Sequence, residues 1–222
     1  MSITENIDKV RKGLREGTTL VVVSKTRSIA EIQEAYAAGV RDFGENKVQE
    51  LMKKAPLLPS DIRWHLIGHL QSNKVKQLIP ATYLIHSIDS FKLLREVNAE
   101  AGNAGKTVNC LLQFHIAKEL SKFGLQRSDI KESEIRKDLA QLQHVNIIGV
   151  MGMATFTDDE GVIRSEFREM KSIFAWLKTE FFAGNSEFRE ISMGMSDDYS
   201  IAVEEGSTIV RVGTAIFGSR QL

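Results

Sequence analysis

Thr19-Leu20-Val21-Val22-Val23-Ser24-Lys25-Thr26 decides how the rest of the chain is read. Its apolar centre, Leu20–Val23, is continuous rather than alternating, so it has no polar face to offer water. Such a strand is buried on both sides, as in a parallel sheet covered by helices. Further β-rich runs lie near Val40–Phe43, Ile62–Ile67, Tyr83–His86, Val108–Phe114, Val145–Val150, Phe188–Ser192 and Thr208–Val212, making eight with the first. Helical patterns fill the intervals at Ile29–Ala38, Lys47–Lys54, Ser72–Leu78, Phe91–Ala101, Ser128–Leu142, Val162–Phe182 and Asp198–Glu204. Strict β–α alternation selects the α/β class. Eight repeats in 222 residues suit a single (β/α)8 TIM-type barrel, with a doubly wound open sheet as the alternative.

The totals agree with one domain spanning 1–222. Hydrophobic residues make up 42% of the chain, and its three prolines mark no linker. An amphipathic helix is expected at about 2–17, where Ile3, Ile7, Val10 and Leu14 repeat between charges. That stretch is too interrupted for a signal peptide, and no segment has the length of a membrane span. Basic and acidic residues number 29 each, so no electrostatic argument favours nucleic acid or an anionic membrane as partner. The lone Cys110 reads as core packing, and the five histidines lack metal-ligand spacing. A cytoplasmic monomer is the expectation.

In a barrel, functional groups gather beyond the C-terminal ends of the strands. Lys25 follows the first strand, with apolar walls below it. Partial desolvation there favours the neutral amine that attacks an aldehyde, although a solvated loop lysine fits position alone as well. Beyond the eighth strand, Gly213 permits close backbone approach and Thr214 offers a hydroxyl at a helix start. Ser196, beyond the seventh, sits in a small-residue turn at an N-cap-like position. Adjacent turns of this kind fit one phosphate between them, and each also fits a plain helix cap. Arg211 lies inside the eighth strand and needs a partner, either a carboxylate or a ligand. Asn46 stands in the polar turn Phe43-Gly44-Glu45-Asn46. His86, His115 and His144 carry no functional expectation.

At these residues the chain resembles the YggS/PROSC family of pyridoxal phosphate homeostasis proteins, whose fold is that of the alanine racemase N-terminal domain. The matching stretches are Val22–Thr26, Phe43–Glu50, Trp64–Lys74, Ile85–Ser90, Ser192–Asp198 and Gly206–Gly218, in family order along nearly the whole chain. The resemblance implies pyridoxal 5′-phosphate (PLP) as cofactor, held as a reversible Schiff base on Lys25. It also implies that Ser196, Gly213 and Thr214 hold the phosphate, that Arg211 faces the pyridine nitrogen, and that Asn46 lies near the ring. Two departures stand out: Phe114-His115 where relatives often carry Asn, and Met151-Gly152-Met153 where Gly-Leu-Met is more usual.

An arginine on the ring nitrogen keeps that nitrogen unprotonated and makes the ring a poorer electron sink. A racemase needs a base on each face of the substrate, and no second base is evident. The chain is therefore expected to carry PLP for homeostasis, with no catalytic residue and PLP-dependent apo-enzymes as candidate partners. The alternatives are a slow minimal amino-acid racemase, a Schiff-base aldolase acting on a sugar phosphate, and a ligand-free scaffold.

Overall fold

The computed structural model describes residues 2–118 and 123–219. Eight parallel strands close in sequence order: β1 (Thr19–Val23), β2 (Asp42–Glu45), β3 (Arg63–Leu66), β4 (Thr82–Ile88), β5 (Val108–Gln113), β6 (Val145–Met151), β7 (Glu190–Ser192) and β8 (Ile209–Val212). The ring is completed by β8 against β1, in register from Thr19↔Ile209 to Val22↔Val212. The open-sheet alternative is thereby excluded.

Around the barrel run α1 (Ile3–Lys12), α2 (Ile29–Ala37), α3 (Val48–Lys54), α4 (Val75–Leu78), α5 (Phe91–Asn103), α6 (Glu132–Gln141), α7 (Glu160–Glu180), α8 (Tyr199–Glu204) and α9 (Thr214–Phe217). Local chemistry starts several of them. Ser2 with Glu5, and Ser28 with Glu31, form reciprocal capping boxes, and Asp159 caps α7. The main core lies between the strands and this helical ring. A second, smaller cluster of Val21, Leu84, Leu111, Met151 and Ile209 fills the barrel interior. No described helix is long and apolar enough to cross a membrane.

Several element bounds depart from the sequence expectation, and four have a local cause. The N-terminal helix ends at Lys12, because Gly13 caps it and the chain turns through Gly17 at φ 84°. Strand β2 lies two residues later than expected, with charged Asp42 and Glu45 at its ends. Both carboxylates are buried and paired, Asp42 with Arg63 and His65, Glu45 with Lys54. The expected helix from Ser128 begins instead as a short 3-10 turn, Arg127–Asp129, with α6 following from Glu132. Phe188 precedes β7 rather than opening it, since its ring stacks on Phe182 at 4.2 Å and Phe174 at 5.1 Å.

Phe167 is fully buried on α7 against the strands. Replacing it with Ala is expected to cost about 3–5 kcal/mol in urea unfolding, combining lost burial with an unfilled cavity.

Candidate functional site

A cavity of about 270 Å³ opens at the C-terminal mouth of the barrel. All six residues singled out from sequence line it: Lys25, Asn46, Ser196, Arg211, Gly213 and Thr214. Val23, Ile67, Met153 and Met195 supply apolar walls, with Phe156 and Asp197 at its edge. Lys25 and Asn46 are half-buried, Thr214 is exposed, and Arg211 is buried. A larger cavity of about 430 Å³ lies at the opposite end, among Arg11, Arg15, Arg41 and Arg63. Those arginines bind Ala38 O, Glu204 O, Asp61 and Asp42 respectively.

The Lys25 turn is held from below. Ser24 donates its hydroxyl to Glu45 Oε1 at 2.7 Å. Lys54 Nζ bonds Ser24 O at 2.7 Å, Glu45 Oε1 at 2.8 Å and Glu50 Oε1 at 2.6 Å. Glu50 in turn accepts the Thr26 N–H at 2.6 Å. Thr26 has φ 63°, a left-handed conformation that a threonine adopts only under constraint. In the sequence Glu45 belongs to a polar turn after the second strand. The structure turns it inward as part of this clasp, and the i, i+4 pair Glu50/Lys54 on α3 was the available signal. Burial pushes the Glu45 carboxyl up, against hydrogen bonds from Lys54 and Ser24 that pull it down.

The opposite wall is built from the turns after β7 and β8. Ser196 Oγ accepts the N–H groups of Gly213 and Ala215, both at 3.2 Å. Ser196 therefore bridges the two turns; the N-cap of α8 is Asp198, whose carboxylate takes the Met195 N–H at 2.5 Å. Gly194 bends the β7 turn at φ 94°, and a Cβ there would come within 2.5 Å of Ala202 Cβ. At Gly213 a Cβ would lie 3.1 Å from Val23 Cβ, so glycine lets the β8 turn sit against β1 without displacing Val23.

Arg211 rises between these walls. Its Nη1 donates to Ser192 Oγ at 2.6 Å and its Nη2 to Gly152 O at 3.0 Å. Burial lowers the guanidinium to about 10, with Asp198 opposing the shift, so it stays charged at neutral pH. Sequence reading missed the groups beneath it. Ser192 and His86 are both fully buried, and His86 Nδ1 lies 2.9 Å from Ser192 Oγ.

Comparison with known proteins agrees with this geometry. The family described as "Alanine racemase, N-terminal domain" matches residues 1–221. Curated pyridoxal phosphate homeostasis proteins from Aquifex aeolicus and Escherichia coli are 35% and 37% identical to the chain. The first match covers 99% of this chain and 96% of that protein, the second 92% and 87%. The chain belongs to the pyridoxal phosphate homeostasis protein family. Two solved structures of a family member, PipY of Synechococcus elongatus, superpose over 98% of this chain and 100% of theirs. The PLP-free structure gives a TM-score of 0.91 at 37% identity, and the PLP-bound one 0.88 at 38%. An alanine racemase from Clostridium difficile, 11% identical with TM-score 0.75, shares the barrel fold.

Replacing Lys54 with Met strands the Glu45 carboxylate without its cation. The expected loss is about 3–5 kcal/mol at neutral pH. A carboxyl held above its ordinary range takes up a proton on folding. The deficit should therefore shrink as pH falls through the Glu45 value of the variant, raised further by loss of the cation, and level off once Glu45 is protonated in both folded proteins. Urea unfolding at stepped pH values reads this, and adding Glu45→Gln to Lys54→Met should abolish the slope.

Proposed function

We propose that this chain binds PLP reversibly through Lys25 and serves intracellular PLP homeostasis as a carrier. The observation that carries the reading is the convergence on one cavity of an amine, a pair of hydroxyl-bridged backbone amides and a buried guanidinium. PLP presents an aldehyde, a phosphate and a ring nitrogen, and each has a complementary group in this set. The cavity, at about 270 Å³, lies just under the range of about 300–1,000 Å³ typical of pockets for drug-sized ligands.

Bound PLP supplies an aldehyde that exchanges between amines and a conjugated ring that can draw electrons. The chain's own groups hold it. Lys25 is the anchoring amine on a turn whose backbone is clamped at Ser24 and Thr26. Ser196, whose Oγ takes the Gly213 and Ala215 amides, keeps its hydroxyl hydrogen for the phosphate, with Gly213 and Thr214 beside it. Arg211 donates to the ring nitrogen, and Asn46, Ile67 and Met153 flank the ring. Among the described residues, two of the guanidinium's five N–H groups have protein acceptors, which leaves donors for a ligand. Because Arg211 keeps its charge, the nitrogen it meets must act as acceptor, which favours holding the cofactor over reacting through it.

The reading includes a cytoplasmic monomer with PLP-dependent apo-enzymes as recipients. A complete barrel with its own core needs no second chain to bury it, which supports the monomer.

Borohydride reduction of the PLP-loaded protein, followed by peptide mapping, is expected to leave a pyridoxyl group on Lys25. An adduct confined to another lysine overturns the assignment. Ser196→Ala should weaken PLP binding on the order of tenfold, the scale of a lost charge-assisted hydrogen bond, without removing the yellow colour. Exchange of the α-hydrogen of L-alanine in heavy water should stay at the level of free PLP; a much faster rate would favour the racemase alternative.

A further inference from the structure

The barrel interior carries a hydrogen-bonded chain that runs from Arg211 to the far end of the sheet. Ser192 Oγ accepts from Arg211 Nη1 at 2.6 Å and lies 2.9 Å from His86 Nδ1. His86 Nε2 is 2.9 Å from His65 Nδ1, and His65 Nε2 is 3.0 Å from Asp42 Oδ1. Asp42 then pairs with Arg63, whose Nε lies at 2.6 Å from Oδ1. Five side chains from β2, β3, β4, β7 and β8 take part, each no more than 8% exposed. An apolar filling like the neighbouring Val21–Leu84–Leu111 cluster would do for packing alone.

The two ends fix the direction of every bond. A guanidinium only donates, so Ser192 Oγ accepts from it and its own hydrogen must point onward. Burial, with the Arg211 charge nearby, holds the His86 imidazole well below its usual value, so that ring is neutral. At the other end Asp42 only accepts. Burial raises its carboxyl, but the hydrogen bonds from His65 and Arg63 outweigh that and keep it ionised. His65 must therefore present Nε2–H to Asp42, and its Nδ1 is bare, because a hydrogen there would turn His86 round and leave the buried Ser192 hydroxyl hydrogen without an acceptor. His86 donates from Nε2 and leaves Nδ1 bare for the Ser192 hydroxyl. Reversing either ring sets two lone pairs about 3 Å apart or orphans a buried hydroxyl hydrogen.

We infer that His86, His65 and Asp42 are positioning residues for Arg211, acting through Ser192. They hold its acceptor in one orientation, and the chain's aligned dipoles present their negative ends to the guanidinium. The inference rests on the reading that Arg211 faces the ring nitrogen of PLP. Among the described residues no carboxylate lies within ion-pair distance of Arg211, and Asp198 acts on it only through space. The relay gives it a distant counter-charge with no carboxylate set directly against the guanidinium. Asp42 thus affects a ligand that it does not touch.

Long-range 15N NMR on the PLP-free protein tests the direction of the chain. His65 and His86 should both carry a hydrogen on Nε2 and none on Nδ1, and an Nδ1–H on either ring overturns it. The consequence for the site is read from PLP Kd and the absorption maximum in Ser192→Ala, Asp42→Asn and Arg211→Gln. Ser192→Ala should raise Kd on the order of tenfold and move the absorption maximum. Asp42→Asn, remote from the cavity, should move both in the same sense by less. Should Asp42→Asn fail to fold, Ser192→Ala decides the matter, because it leaves the Asp42–Arg63 pair intact. If Arg211→Gln leaves both readouts unchanged, the placement of Arg211 at the ring is wrong. If Arg211→Gln moves them while Ser192→Ala does not, the relay has no positioning role.

Discussion

Parallel pairing of the first strand with the last is the interaction on which the rest of this structure depends. Thr19–Val22 and Ile209–Val212 are nearly two hundred residues apart in sequence, yet their registry closes the ring. Closure places the turn after β1, with Lys25, beside the turn after β8, with Gly213 and Thr214. In an open sheet those turns would stand at opposite edges and share no cavity. The close approach of Gly213 to Val23 is the steric mark of this junction. Strand β7 is short and meets β8 in register only at Ser192↔Ile209, so the chain beyond it is free to bend at Gly194. The Arg211 N–H to Gly194 O bond, at 2.9 Å, ties that bend back to β8 and puts Ser196 over the β8 turn.

Beneath the mouth, charge is buried in two ways. On the Lys25 side, opposite charges touch: Lys54 sits between Glu45 and Glu50 and also takes the Ser24 carbonyl. Such a cluster adds little net stability over an apolar filling, but it forces the backbone into one geometry, including the left-handed Thr26. Under Arg211 the charges do not touch. The guanidinium is separated from Asp42 by a serine and two imidazoles, so compensation arrives as aligned dipoles. The difference follows from what each side must leave open. On the reading proposed above, Lys25 needs only a fixed turn beneath it, whereas Arg211 needs unspent donors facing the cavity.

The fold was legible because apolar runs and their helical intervals repeat without interruption, and continuous apolarity in Leu20–Val23 already implies burial on both faces. The cavity-lining residues were legible from their places at strand ends together with a family resemblance. What escaped was the buried polar interior. Asp42 and Glu45 pushed the expected β2 two residues too early, since a charge at a strand end reads as a turn until its partner is known. His86 looked unremarkable because a single imidazole in an apolar strand reads as packing. Its role depends on His65, Ser192 and Asp42, which closure brings together from three other strands. Pairing across a barrel leaves no local periodicity to detect.

On the proposed reading, the same guanidinium that steadies the ring also limits what the ring can do. An acid in this position would give its proton to the pyridine and deepen its pull on electrons. Arg211 cannot, since even with burial lowering it to about 10 it retains its charge at neutral pH. The relay strengthens that tendency: each of its dipoles favours a positive charge at the Arg211 end, and a proton leaving Arg211 would work against all of them. Affinity for the cofactor and restraint of its reactivity therefore have one physical source. A protein whose task is to hold an electrophile without consuming amino acids gains on both counts from a buried arginine that cannot let go of its proton.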